Sequence, residues 1–356
     1  MKILIDINHP AHVHYFKNFI KIMECDGNVV VVTNRDEPII NELLDAFKIK
    51  HFIRCKRPTK NTFFLSLKYL LSMIFDVYRI ARKEKIDFFI GFASVPCAFL
   101  SFLYKKPSVI IDDTEHNGMN HSIYSKFCSD IVTPFYFKKD LGEKQIYFKA
   151  YVEQLYLHSN YFSPPSKSEI PKYALVRFIS YSARHDKDVK SVLNLEEKKT
   201  LVKELAKRIK VYVSMESEPI DPFFLPFKLD CKPEQMHSII SDASIFITEG
   251  ATMASEAGLL GVKYFYINPL KVGNVDKQCE LYSHAHQLNG KQLLENINTV
   301  DLITETNNDF IIKLERETID PTKFLVWFIN NYPNSSALCR KKIIDIDFVE
   351  NNNLVF

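Results

Sequence analysis

The side chains best suited to chemistry fall in four short clusters, and the most informative is Glu249-Gly250-Ala251-Thr252-Met253-Ala254-Ser255-Glu256. It follows the apolar, β-branched run Ile245-Phe246-Ile247-Thr248 and leads into small and apolar residues closed by Gly261, so it reads as a strand, a tight turn and a helix N-terminus. The free N–H groups at such a terminus, with the positive end of the helix dipole, favour an anion such as a diphosphate. Glu256 falls about one helical turn further on, where a carboxylate can accept hydrogen bonds from a ribose diol. The same spacing also fits an ordinary βα unit with a glycine at its turn.

The second cluster, Asn8-His9-Pro10-Ala11-His12-Val13-His14, directly follows the apolar start of the chain. Three histidines in six residues suggest zinc, but no carboxylate or thiolate stands at metal spacing. Turn and helix-cap hydrogen bonding accounts for His9 and His14. His12 suits a general base or a group that positions an acceptor, because imidazole titrates near neutral pH. The third cluster, Asp112-Asp113-Thr114-Glu115-His116, is the densest titratable group in the chain. Carboxylates or a carboxylate-supported imidazole there would activate a hydroxyl nucleophile, with a solvated acidic loop as the plainer reading. The fourth, Ser180-Tyr181-Ser182-Ala183-Arg184-His185-Asp186, offers the planar fork of Arg184 and the donor His185 to a diphosphate. Its plainer reading is a polar loop with a surface arginine.

The elements that must position these clusters alternate as in a parallel sheet. Strands are expected near 2–6, 29–33, 51–55, 88–91, 108–112 and 131–133, with helices over 15–23, 38–47 and 62–84. The Pro- and Ser-rich stretch Ser159 to Pro171 is the expected linker. A second alternation follows, with strands near 173–179, 211–214, 245–248 and 263–267 and helices over 195–209, 233–242, 252–260 and 321–331. Ligands of such sheets bind at the carboxyl ends of the strands, where all four clusters fall.

At 356 residues, with 46% hydrophobic content, the chain can bury two cores of about 150 residues each. The 46 basic and 43 acidic side chains leave a net charge of +3, which gives no global field for nucleic acid. Seven scattered cysteines, never spaced C-x-x-C, suit a reduced cytoplasmic protein without structural zinc. The first apolar run meets Asp6 too soon for a signal peptide. The stretch Phe63 to Phe75 is shorter than the roughly 20 residues that cross a bilayer. Its flanks, Lys56, Arg57 and Lys60 before and Arg79, Arg82, Lys83 and Lys85 after, suit a helix lying on anionic headgroups, while a core-facing helix with a basic end is the alternative. Asp345-Ile346-Asp347 matches a metal-holding D-x-D pattern, but the pattern is common by chance and sits in a charged tail. Nine glycines without a G-x-G-x-x-G argue against a dinucleotide cofactor.

The Glu249–Glu256 run resembles the nucleotide-binding motif of the peptidoglycan lipid-intermediate N-acetylglucosamine transferase, in which a Ser-Gly-Ala turn precedes a helix whose Glu binds the ribose of a UDP-sugar. The resemblance places Gly250, Ala251 and Glu256 in those roles and puts Glu249 where that family has Ser. A carboxylate beside a diphosphate is repulsive unless protonated or bridged. Taken in order, Ile5 to His14, Asp112 to His116, Phe178 to Asp186 and the Glu249–Glu256 run resemble a family known as domain of unknown function 354. Its members are similar to the GT-B superfamily of glycosyltransferases and UDP-N-acetylglucosamine 2-epimerases.

That resemblance implies an α/β, GT-B-like fold of two Rossmann-like parallel-sheet domains facing across a cleft. The expected domains are 1–162 for the acceptor and 172–318 for the nucleotide-sugar, with 319–356 as a helix returning to the first domain and a tail. It implies a metal-independent, nucleotide-sugar-dependent glycosyltransferase of surface polysaccharide or glycoconjugate synthesis. The alternatives are a UDP-N-acetylhexosamine 2-epimerase and a non-catalytic nucleotide-sugar binding protein. The expected catalytic residues are His12, Asp113, Glu115 and His116. The expected nucleotide-sugar contacts are Ser182, Arg184, His185, Gly250, Ala251, Thr252, Ser255 and Glu256, with no metal and no cofactor besides a UDP-linked donor. Expected partners are a glycan or lipid-linked acceptor and, through residues 56–85, the inner face of the cell membrane, with the protein cytoplasmic or peripheral there.

Overall fold

The computed structural model describes residues 1–56, 62–116, 118–164, 172–179, 193–216, 220–302 and 308–354. The chain divides into two compact units, Met1–Tyr161 with Glu317–Phe356, and Phe162–Arg316.

In chain order the first unit contains β1 (Lys2–Ile7), α1 (Pro10–Cys25), β2 (Val29–Arg35), α2 (Pro38–Ala46), β3 (His51–Arg54), α3 (Phe63–Glu84), β4 (Phe88–Phe92), α4 (Val95–Tyr104), β5 (Ser108–Ile111), α5 (Gly118–Phe127), β6 (Asp130–Pro134), β7 (Gln145–Phe148) and α6 (Gln154–Leu157). The second contains β8 (Tyr173–Phe178), α7 (Leu195–Ala206), β9 (Lys210–Met215), α8 (Met236–Asp242), β10 (Ile245–Thr248), α9 (Ala251–Leu259), β11 (Lys263–Tyr266), α10 (Gly273–Leu281), β12 (Ala285–Gln287), α11 (Gly290–Asn296) and most of α12 (Asn308–Glu317). The last elements, α13 (Pro321–Asn330), α14 (Asn334–Cys339), β13 (Ile343–Ile344) and α15 (Ile346–Asn351), belong to the first unit.

The central strands read as nearly unbroken apolar runs because helices cover both faces of each parallel sheet. In β1, Ile3, Leu4, Ile5 and Ile7 are all fully buried, and Ile245, Phe246 and Ile247 of β10 are too. β3 lies at a sheet edge, and Phe52 and Ile53 remain exposed there. Helix starts follow the capping rules: Pro10 opens α1 behind a His9 side chain that accepts from the Ala11 N–H, and Asn194 and Glu197 form a capping box on α7.

The first sheet has the order β13-β7-β6-β5-β4-β1-β2-β3 and the second β12-β11-β10-β8-β9, with every paired strand parallel. Chain direction through each sheet reverses at one place, between β1 and β4 and between β8 and β10. In such sheets the carboxyl ends of the strands at this place are the usual ligand position.

After Glu317 the chain adds to the first unit. Thr322 Oγ1 donates to the Leu155 carbonyl, and Asn160 and Tyr161 both donate to Asp320 Oδ2. Buried Asp130 accepts from Ser336 and Arg340, and β13 extends the sheet beside β7. The Asp345-Ile346-Asp347 pattern is a helix start: Asp345 caps α15 by accepting from the Phe348 N–H.

Candidate functional site

At the β8/β10 switch of the second unit, Thr248 ends β10, Glu249 and Gly250 turn, and α9 begins. Thr248 Oγ1 takes the Gly250 N–H, and the first helical bond runs from the Ala254 N–H to the Gly250 carbonyl. Helix geometry therefore leaves the Ala251, Thr252 and Met253 N–H groups without intrahelical acceptors, aimed out of the turn with the positive end of the helix dipole. All three residues are partly accessible.

Glu249 does not disturb this anion-favouring turn. Its side chain is buried, accepts from the Ile179 N–H at 3.0 Å, and pairs with Lys198 Nζ at 3.0 Å. Lys198 comes from the first turn of α7 and also lies over the Phe178 ring, 4.6 Å from its centroid. A bridged carboxylate therefore stands beside the turn and ties the ends of β8 and β10 to α7. Its carbonyl accepts from Asn268 Nδ2, which fastens the loop after β11 as well.

Glu256 is buried, with Oε1 3.1 Å from His237 Nε2 at the start of α8. Ser255 is a correction to the sequence expectation. It is fully buried, and its hydroxyl and carbonyl accept from Gln278 Nε2 of α10, so it holds two helices together and does not face a ligand. Gly258 explains why those helices come so close: a Cβ there would lie 1.9 Å from Gln278 Oε1 and 2.8 Å from Tyr264. Ser182, Arg184 and His185 lie outside the described residues.

At the β1/β4 switch of the first unit, Asp6 is the hub of a buried polar network. One oxygen accepts from Thr33 Oγ1 and Arg54 Nε, the other from Asn8 Nδ2 and Ser94 Oγ, each at 2.9 Å. Arg54 Nη2 in turn donates to Asn8 Oδ1. Burial alone would lower the guanidinium pKa, but Asp6 and Tyr69 outweigh it and raise it, so the guanidinium stays charged. Asn8 carries the network to the catalytic candidate, because its backbone N–H donates to His12 Nδ1 at 3.3 Å.

That bond places the proton of neutral His12 on Nε2. Burial, followed by His9, Arg35 and Arg54, holds its pKa well below the ordinary 6.5. The ring packs on Phe92 and Tyr15, with centroids 4.8 and 5.9 Å away. His12 is thus a neutral donor at neutral pH. His14 packs in the core against Phe47 and Tyr156.

After β5 the two aspartates divide their work. Asp112 is fully buried and accepts from the Thr114 N–H and the Tyr124 hydroxyl, with His121 Nε2 3.3 Å away. Asp113 is half-buried, accepts from Thr114 Oγ1, and has its pKa pushed up to about 7 by burial and then by repulsion from Asp112. Tyr136, just past β6, is buried with a hydroxyl that has no hydrogen-bond partner among the described residues. Burial, then Glu153 and Asp113, raise its pKa far above the ordinary value. Glu115 is engaged by the Lys138 N–H at 2.7 Å, and His116 is exposed.

Sequence reasoning missed Asp6, Arg54, Ser94, Tyr124, His121 and Tyr136. Asp6 alone left a trace, a carboxylate placed inside the first apolar run. Among the described residues no group of three His, Cys, Asp or Glu side chains is disposed to hold a metal ion.

Solved structures share this fold over nearly the whole chain. A UDP-GlcNAc 2-epimerase from Neisseria meningitidis bound to UDP-GlcNAc is 11% identical, with 93% of this chain and 100% of that one covered at a TM-score of 0.64. The glycotransferase of kitacinnamycin is 13% identical, with 92% and 98% covered at 0.62. MurG of Acinetobacter baumannii is 15% identical, with 93% and 99% covered at 0.57. No curated protein matches the sequence. The family model described as "Protein of unknown function (DUF354)" matches residues 1–148, which hold the first two of the four motifs that resemble that family. The protein thus carries a GT-B-like fold whose first 148 residues match the DUF354 family.

Proposed function

We propose that this protein is a nucleotide-sugar-dependent glycosyltransferase. The observation that carries the reading is the β10–α9 turn of the second unit, where free helix N–H groups, a charge-balanced Glu249 and the carboxylate of Glu256 stand in the order that suits diphosphate and ribose. Gly250, Ala251 and Thr252 take the diphosphate and Glu256 the ribose. The dipole of α9 stabilises charge developing on the departing nucleotide.

In the first unit Asp113 is the general base. A carboxylate that titrates near 7 is both deprotonated at working pH and basic enough to take a hydroxyl proton. His12 positions the acceptor as a hydrogen-bond donor through Nε2. The GT-B-like neighbours, one of them bound to UDP-GlcNAc, support a UDP-linked donor.

The acceptor is lipid-linked on this reading. Phe64, Leu67, Leu71 and Phe75 form an exposed apolar stripe along α3, with Phe64 81% accessible. Lys68 interrupts it, and Arg79 and Arg82 continue it along the same face. Lys83 and Lys85 are exposed beside its end. Such a face suits shallow insertion among anionic headgroups. Among the described residues no helix is long and apolar enough to cross a membrane.

The raised Asp113 equally serves proton exchange at a sugar C2, so a UDP-N-acetylhexosamine 2-epimerase is the second reading. Incubation with UDP-N-acetylglucosamine separates them. A transferase releases UDP only when a lipid-linked glycan extract is added, whereas an epimerase changes the C2 configuration without extract and keeps UDP attached.

A further inference from the structure

We propose that His237 is the positioning residue that gives the nucleotide site its preference for a ribose bearing both hydroxyls. The proposal rests on Glu256 being the ribose acceptor. His237 opens α8 just ahead of β10, and Glu256 lies in α9 just after it, so the two helices that flank one strand bring the pair together. Nε2 and Oε1 are 3.1 Å apart, and each side chain is only 6% exposed. The imidazole is held in turn by the edge of the Phe162 ring, with centroids 6.3 Å apart.

A glutamate carboxylate turns about several torsions and settles on whichever donors a ligand offers. A hydrogen bond from an imidazole fixed on a second helix removes that freedom. The carboxylate has about four acceptor positions. His237 takes one, which fixes the plane in which the carboxylate lies. A vicinal diol brings two O–H donors to such a fixed acceptor. A 2′-deoxyribose brings one, and the position left without a donor is nearly shut off from water, so affinity falls on the order of tenfold to a hundredfold. A carboxylate free to turn would follow the remaining hydroxyl and lose less. The donor class this favours is a ribonucleoside diphosphate sugar over a deoxythymidine-linked one.

Titration calorimetry with UDP and 2′-deoxy-UDP tests this, repeated with the GDP and CDP pairs so that base identity does not decide the outcome. For the ribonucleotide that binds, the wild type prefers the ribo form by at least about tenfold. His237→Ala loses most of that preference, chiefly by weakening the ribo form, and His237→Gln, which still carries an N–H donor, restores part of it. Thermal melting of each variant confirms folding. An unchanged ratio in His237→Ala, or a wild type indifferent to the 2′-hydroxyl, overturns the role of His237 while leaving the nucleotide site standing. If none of the three ribonucleotides binds at millimolar concentration, the nucleotide reading itself fails and the proposal with it.

Discussion

Lys198 Nζ lies 3.0 Å from Glu249 Oε1, and this pair lets a carboxylate occupy the turn that leads into α9. Glu249 is 1% exposed and Lys198 12% at the side chain, so the charges screen each other in a place with little water. Removing the lysine leaves the acid without its cation. Lys198→Met should therefore lower stability by roughly 3 kcal/mol, the usual scale for breaking a buried pair. The double variant Lys198→Met/Glu249→Gln should recover much of the loss, because no charge is then stranded. Denaturant melts of the two variants check this, and an equally unstable double variant would show that Lys198 acts through packing on Phe178.

The β10–α9 turn was legible because its signals are local: an apolar run, Gly-Ala-Thr, then small residues at helical spacing. Glu256 and Ser255 show the limit of that reading. They are adjacent in sequence, yet one meets His237 and the other is sealed against Gln278, and only the packing of α10 decides which. Asp6 and Arg54 stayed hidden for another reason. Forty-eight residues separate the partners of this ion pair, and parallel pairing of β1, β2 and β3 alone brings them together. The short strands β7, β12 and β13 carry too little alternation to stand out from the loops around them.

Asp113 titrates near 7 in the folded chain against about 4 in the unfolded one, so folding favours its protonated form. The stabilisation is complete below pH 4 and is lost as pH rises through 7. Asp113→Asn removes the charge and should make the protein more stable than wild type at pH 8, on the order of 1–2 kcal/mol after allowing for partial exposure. At pH 4 the advantage should vanish. The same substitution should reduce turnover about a hundredfold or more, and wild-type turnover should rise with pH to a plateau above 7. A rate profile that is flat from pH 6 to pH 8 would remove Asp113 as the base.

Gly258 is a packing glycine. Alanine there must displace Gln278, whose amide also holds Ser255, and should destabilise by roughly 2 kcal/mol as measured by thermal melting. A neutral result would mean that α9 and α10 slide apart at little cost.

The stripe on α3 should bring the protein to anionic vesicles in a salt-sensitive way. Flotation with phosphatidylglycerol vesicles should fall sharply between about 50 mM and 500 mM salt, and Leu71→Glu/Phe75→Glu should abolish it without changing the melting temperature, since both side chains are exposed. Equal flotation with neutral and anionic vesicles would contradict a role for the basic flank.

The central claim is that the second unit binds a nucleotide through the turn before α9 and through Glu256. A thermal-shift screen against UDP, GDP, CDP, CMP and TDP, with Glu256→Gln as control, tests it most directly. A ligand at a hundred times its dissociation constant stabilises by about 2.7 kcal/mol, a readily resolved shift. The account expects one nucleotide to stabilise the wild type selectively and to lose most of that effect in the variant. No shift with any nucleotide at millimolar concentration, or an equal shift in the variant, would contradict it.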